Sequence, residues 1–240
     1  MNGWFQRMFD VAIMQPTYLP WAGYFHLMSQ VNFFVFLDDV QFSKSSWQSR
    51  NRINCFGDVQ WISLPVTRQG VVNINEVMIR PEGQWPKKHL QQLKSVYGKA
   101  PFFNDLELIM EGIESISISS LAQVNIELTI KIARLLELDC TFHNSSEIDT
   151  SSERSQRLLD LIRAFGGLSY FSPEGAREYL ERDGILQEEG IDIVYQEYEP
   201  LKYRQYRSDQ WHSHLSIVDV IANIGLEETK HYIRRGFNGL

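Results

Sequence analysis

Cysteine is nearly absent: Cys55 and Cys140 are the only two in 240 residues, far apart and outside any CxxC pair. That excludes a disulfide framework and a zinc knuckle, and predicts free thiols in a reducing compartment. Long apolar runs are missing as well. None approaches the ~20 residues that span a bilayer, and the longest, residues 31–37, has the length of a strand. Residues 1–10 lack the basic, apolar, then small-residue order of a secretion signal. The expectation is a soluble cytoplasmic protein without a transmembrane segment, with attachment to a membrane surface left open. Positive charge is in deficit: 23 Lys and Arg stand against 30 Asp and Glu, a net charge of −7. Phosphate polymers need a positive field, so no nucleic-acid partner is expected. There is no GxSxG, no HExxH, and no glycine-rich loop around Lys44, which removes the nucleophile elbow, the zincin and the P-loop.

What remains is ample material for a core. Hydrophobic residues make up 43% of the chain, which argues against disorder. Residues 11–14 form an apolar run stopped by Gln15-Pro16, a strand entering a loop. Tyr24, Leu27, Met28 and Val31 recur at helical spacing and predict a short amphipathic helix. Residues 33–37 read as a buried strand that ends in Asp38-Asp39. This β-loop-α-β opening predicts a parallel pair with a crossover helix. Residues 61–66 and 74–79 flank a Gln69-Gly70 turn and predict a hairpin.

Helices follow, on Leu90, Leu93 and Tyr97, on a capping box of Asn104 with Glu107, and on Leu121, Val124, Leu128, Ile132 and Leu135. The second half alternates strands at 140–143, 168–171 and 191–195 with helices, and Ser216 with Asp219 reads as the cap of the last helix. The expected fold is α/β: a mainly parallel sheet with flanking helices, a small hairpin and a helical insertion, as one domain over 1–240. The only boundary signal is the Pro81 to Pro86 stretch. The sequence leaves the oligomeric state open.

Ligands of open α/β sheets bind outside the carboxyl ends of strands, and two features emerge at such ends. After the first strand come Gln15, Tyr18, Trp21 and Tyr24, in a loop stiffened by Pro16 and Pro20. They wall a cleft or plug the end of the sheet. After the next come Asp38 and Asp39, which serve as general base, hydroxyl acceptor or magnesium ligands, or simply end a strand. Gln41, Lys44, Trp47, Arg50, Asn51 and Arg52 follow; the cations suit phosphate or carboxylate, unless an aspartate pairs with Arg50. A later stretch, residues 195–207, interleaves aromatic and basic residues, and Tyr203 and Gln205 are its candidate ligand contacts. His212 and His214 have no partner at metal-ligand spacing, so no metal centre is predicted, and His26 reads as a helix-face residue.

The runs QPTYLPWAGYF, FFVFLDDVQFSKSSWQSRNRI, WISLPV, NSSEI, YFSPEGAREYL and SIVDVIANIG span nearly the whole chain, and they resemble the WbqC-like family. That resemblance implies a bacterial protein of O-antigen or related surface-polysaccharide biosynthesis. Through one branch of the family it implies transfer of a glycyl group. It carries over no catalytic residues. The implied activity is a transferase acting on a nucleotide-linked amino sugar with a small acyl donor. The opening is also similar to HIGH-type nucleotidyltransferases, but Pro20-Trp21-Ala22-Gly23 stands where their two histidines would be. This leaves a nucleotide-dependent activating enzyme, with Mg2+ accompanying the nucleotide, and a noncatalytic precursor- or partner-binding protein as the rival readings.

Overall fold

The first strand, β1 (Phe9–Met14), is apolar on both faces, and the fold explains why. Val11 and Ile13 enter one core with Val35, while Ala12 enters a second core with Phe34 and Phe36. Helices cover both sides of the sheet, so its central strands carry no polar face. The structure is a computed structural model and describes residues 9–80, 84–117 and 119–235. Residues 81–83 of the expected boundary stretch lie outside the described residues.

In chain order, β1 is followed by α1 (Ala22–Ser29), β2 (Val31–Phe36), β3 (Arg50–Cys55), β4 (Asp58–Ser63), β5 (Val66–Thr67) and β6 (Met78–Ile79). Three helices come next, α2 (Trp85–Tyr97), α3 (Phe103–Glu114) and α4 (Leu121–Leu135). The remainder is β7 (Thr141–Asn144), α5 (Arg154–Ala164), β8 (Ser169–Ser172), α6 (Arg177–Asp183), α7 (Ile185–Glu188), β9 (Asp192–Tyr195) and α8 (Ile217–Arg235).

The main sheet has five strands in the order β7-β2-β1-β8-β9, and every neighbouring pair is parallel. This is the α/β fold expected from the sequence. Counting only its own strands in chain order, the sheet reads 3-2-1-4-5. The chain builds outward from β1 on one side, then returns to build outward on the other. The reversal falls between β1 and β8. In doubly wound sheets such a switch point opens a crevice at the carboxyl ends of the strands, because the two flanking connections leave in opposite directions.

Several local expectations are corrected. Helix α1 is not amphipathic, since every residue from Ala22 to Met28 is buried. It lies between the sheet and α8, so no face meets water. The hairpin is β3–β4, not 61–66 with 74–79. Phe56 and Gly57 turn it with φ of 57° and 98°, as a two-residue turn of the right twist requires. The Asn54 side chain accepts the Gly57 N–H at 2.9 Å and closes the turn. Only β5 and β6, two residues each, survive of the predicted pair. Asn104 does not cap α3. The helix starts two residues earlier than that cap implies, at Phe103, just after Phe102, whose N–H donates to Ala222 O at 3.0 Å. Helix α8 runs beyond its predicted core and is kinked at Gly225, with φ of 79°.

Only half of the Ser216–Asp219 capping pair forms: Ser216 directly precedes α8 and its Oγ accepts the Val218 N–H at 3.4 Å. The Ser216 hydroxyl turns to Leu19 O at 2.7 Å. Asp219 turns inward, where it accepts from Tyr97 Oη at 2.8 Å and Tyr203 Oη at 2.6 Å. Gln205 Nε2 adds a longer contact of 3.3 Å. These bonds fasten the 196–216 connection to α8. Burial pushes the Asp219 carboxyl up to about 6, and the donated hydrogen bonds only partly oppose it. A folded-state value above the unfolded one means that the ionised form is disfavoured in the native protein. Its contribution to stability is therefore full below about pH 4 and is lost as pH rises through about 6. Relative to Asp219→Asn, the wild-type protein should lose stability between those values. Paired urea titrations at stepped pH check this; a constant difference across the window would refute it.

Candidate functional site

A cleft of 330 Å³ lies at the reversal point. One wall is the end of β1 with Met14, Gln15 and Thr17. The second wall is Trp47 and Gln48, from the loop before the hairpin, and the third is Tyr170, Pro173 and Tyr179, from β8 and the turn beyond it. The two opening loops do leave one edge of the sheet: Met14 pairs with Phe36, and the Leu37 N–H donates to Met14 O at 2.8 Å. The polar groups of the lining are amides and hydroxyls only, without a carboxylate or a cation. Burial raises the phenols of Tyr170 and Tyr179, the latter also through the nearby Asp183 charge, so both stay protonated donors. A larger groove of 580 Å³ runs between α3 and α4 past Glu127 and Lys131. It lies away from the strand ends, and no predicted site residue reaches it, so the switch-point cleft is the candidate site.

The first loop can wall this cleft because its backbone is pinned. Residues 16–20 are buried, an unusual state for a loop. Three of their carbonyls, those of Pro16, Tyr18 and Leu19, are taken by side chains. Asn125 Nδ2 donates to Pro16 O at 3.3 Å and to Gln48 O at 2.7 Å. Asn51 Nδ2 donates to Tyr18 O at 3.0 Å and to Leu19 O at 2.8 Å. Gln48 Nε2 reaches Gln15 Oε1 at 2.7 Å, and Tyr24 Oη reaches Gln15 O at 2.9 Å. The two cleft loops are thereby joined to each other and to α4.

The model of the WbqC-like protein family matches residues 15–231. The chain belongs to the WbqC-like family. It is 30% identical over 228 residues to Uncharacterized protein Rv1507c of Mycobacterium tuberculosis (strain ATCC 25618 / H37Rv), across 92% of this chain and 96% of that relative. No solved structure matches. Three WbqC-like stretches that are distant in sequence meet at the cleft: QPTYLPWAGYF through Gln15 and Thr17, SKSSWQ through Trp47 and Gln48, and YFSPEGAREYL through Tyr170 and Tyr179. Thr17, Gln48, Tyr170 and Tyr179 were not predicted as site residues. The last stretch was visible as a motif, but its place depends on β8 inserting beside β1, and strand order leaves no local mark.

The acidic pair of this WbqC-like chain is absent from the cleft lining, and its oxygens have protein partners. Asp38 Oδ1 accepts from the Ser146 N–H at 3.0 Å and Ser145 Oγ at 3.1 Å, and its Oδ2 accepts from Ser146 Oγ at 2.7 Å. Asp39 pairs with Arg157 and accepts from Ser145 Oγ at 2.5 Å. The first aspartate thus ties the turn after β7 to the end of β2, and the second anchors α5. A guanidinium already on Asp39 opposes a metal ion there. Among the described residues, no group of three or more His, Cys, Asp or Glu converges on a metal position.

Other predicted contacts are also redistributed. Tyr18 is fully buried and donates to His89 Nδ1 at 2.7 Å, while His89 Nε2 meets Ser63 O at 3.1 Å. The carbonyl can only accept, so the Nε2 position carries the proton. Burial lowers His89 to about 4 and keeps it neutral. Trp21 packs between His214 and Tyr198, and its indole would lie 2.2 Å from a Cβ at position 23, which explains Gly23. His26 is not on a free helix face but in the core, 2.7 Å through Nδ1 from Gln196 Nε2. Tyr203 and Gln205 serve Asp219. Gln41 bridges to Asn73, and Lys44 is exposed. Arg50 and Arg52 lie beyond Trp47, on the outside of the hairpin. Of the predicted set, the cleft brings together Gln15 and Trp47.

Asn51 is therefore a scaffold residue with two buried hydrogen bonds and a third, part-buried, from the Arg52 N–H at 2.8 Å. Asn51→Ala should cost about 2 kcal/mol or more by stranding buried carbonyls. Arg50→Gln should cost about 1 kcal/mol, since it removes one half-buried cation–π contact. Chemical denaturation of both variants measures the contrast, and equal losses would contradict it.

Proposed function

We propose that this protein is a transferase of surface-polysaccharide precursor synthesis, which holds a nucleotide-linked amino sugar at the switch-point cleft and accepts a small acyl group such as glycyl. The observation that carries this reading is the meeting of three WbqC-like stretches at the crevice between β1 and β8. Crevices of this kind in 3-2-1-4-5 sheets are where ring-bearing cofactors and nucleotides sit. The lining favours an uncharged part of the ligand. Trp47 offers an indole face, while the Gln15 amide and the Tyr170 and Tyr179 phenols offer hydrogen bonds that fix orientation. Phosphates would lie toward the open mouth.

Acyl transfer to an amine needs little from such a site. The nitrogen of the amino sugar forms the new bond to the acyl carbon, the donor's leaving group departs with the electron pair, and the amine proton passes to solvent or leaving group. Positioning supplies most of the gain, and the two phenols are the donors available to a developing oxyanion. A second reading, nucleotide-dependent activation, draws on the same strand order but has no carboxylate in the lining to support it.

The test is a thermal-shift screen of nucleotides, nucleotide sugars and amino acids, with and without magnesium. A ligand at a hundredfold excess over its Kd adds about 2.7 kcal/mol, a shift of several degrees for a chain of this length. A nucleotide sugar should give it without magnesium. Gly175 borders the cleft, and a Cβ there meets no atom within 4 Å. Gly175→Leu should then fill the cleft and abolish the shift while preserving the melting temperature. A flat screen would favour a noncatalytic partner, and a shift that required magnesium would favour activation.

A further inference from the structure

The outer face of the β3–β4 hairpin carries an array that the cleft does not use. Arg52 stands opposite Trp61. Trp47 leans on Trp61 with ring centroids 5.3 Å apart. The Arg50 guanidinium lies 4.0 Å over the Trp61 ring, and that of Arg52 lies 5.3 Å over the Trp47 ring. At the hairpin tip, Arg207 lies 5.2 Å over Phe56. Trp47 and Phe56 are each 46% exposed, Trp61 is 43% exposed and Val59 is 38% exposed. Among the described residues, Lys44, Arg50, Arg52 and Arg207 form no ion pair. Residues 40–70 carry four cations and one carboxylate, in a chain whose net charge is −7.

We propose that this hairpin face docks the protein on an anionic lipid surface. The array is a rim rather than a pocket: β4 is exposed at every position but Ile62, and strands of six residues reach about 20 Å. A guanidinium already covers one face of each indole on the outer side of the hairpin, so bases or sugar rings cannot stack on those faces. What remains outward is indole edges with Phe56 and Val59, apolar groups that gain by entering a headgroup–acyl boundary. Tryptophan favours that boundary because its ring is apolar and its N–H is polar. Arginines stacked on indoles keep their charge without carboxylate partners, so they attract acidic headgroups. The acidic remainder of the surface is repelled by the same lipids, which fixes the orientation. Trp47 belongs both to this face and to the cleft wall. Docking would therefore set the cleft mouth at the level of the headgroups.

The experiment is co-sedimentation of the full chain with phosphatidylglycerol vesicles and with phosphatidylcholine vesicles. Binding should require phosphatidylglycerol, shift tryptophan emission to the blue, and fall at least tenfold when salt shortens the Debye length from about 10 Å to about 3 Å. Paired Arg50→Gln and Arg52→Gln changes should weaken it about tenfold, as should Trp61→Ser, with melting temperatures near that of the wild type. Gly175→Leu should bind vesicles normally, which separates a failure of the cleft reading from a failure of docking. A natively melting protein that ignores phosphatidylglycerol would overturn the proposal, and so would equal binding to both lipids. Release from the vesicles by a soluble nucleotide sugar would also overturn it, by placing the array in the ligand site.

Discussion

A loop that is buried must find hydrogen-bond partners for its backbone inside the protein, and the rest of this structure is arranged around one such loop. Residues 16–20 leave β1 and pass under the hairpin and α4 with almost no access to water. Each stranded carbonyl there would cost roughly 1–3 kcal/mol. The chain answers with carboxamides, Asn51 from the hairpin and Asn125 from α4, and with the Ser216 hydroxyl at the start of α8. The Ile217 N–H adds a bond to Pro20 O at 2.8 Å. Elements from three distant parts of the sequence are thereby pinned to one turn. Leu19 is held there at φ of 41°, a conformation unfavourable for a branched side chain. Such strain persists only where the surroundings over-determine it.

This constraint explains why the site is rigid while its walls come from loops. Gln15 is the residue at which the buried segment reaches water, and its amide is oriented by Gln48. Gln48 also accepts the Ser43 N–H at 2.9 Å, and the Tyr18 N–H donates to Trp47 O at 3.1 Å. One polar chain therefore runs from the end of β1 through the loop that precedes the hairpin. A change at Asn125, which touches no lining side chain, would loosen both walls together.

The layers of the fold were legible in the sequence because apolar periodicity reports local structure. Strands at 11–14, 33–37 and 191–195, and the helix built on Leu121 to Leu135, stand close to where the pattern placed them. The hairpin was missed because Asn51, Asn54 and Gln60 interrupt its apolar alternation, and two of these are buried for hydrogen bonding rather than for packing. Ser216 caps α8 as its pattern predicts, but Asp219 does not complete the box, because its partners Tyr97 and Tyr203 come from elsewhere in the chain. Half of the cleft was invisible for the same reason. Tyr170 and Tyr179 acquire their meaning only when β8 pairs with β1 instead of continuing the sheet past β7.

Charge is separated across the molecule in a way that bears on its chemistry. The aspartates that looked available at the end of β2 are consumed by Ser145, Ser146 and Arg157 in tying β7 and α5 to that strand end. The cations that looked like their counterparts are turned outward over exposed indoles. Between the two lies a cleft whose polar groups are all neutral. In such surroundings a charged reacting group would lose hydration without gaining a counter-ion, a cost that grows with enclosure. The proposed acyl transfer meets that constraint, because a free amine and an activated acyl carbon react uncharged. A reaction that developed a full charge deep inside would need a residue that this lining does not contain, and the two phenols, Tyr170 buried and Tyr179 half-buried, can stabilise only the partial charge of a passing oxyanion.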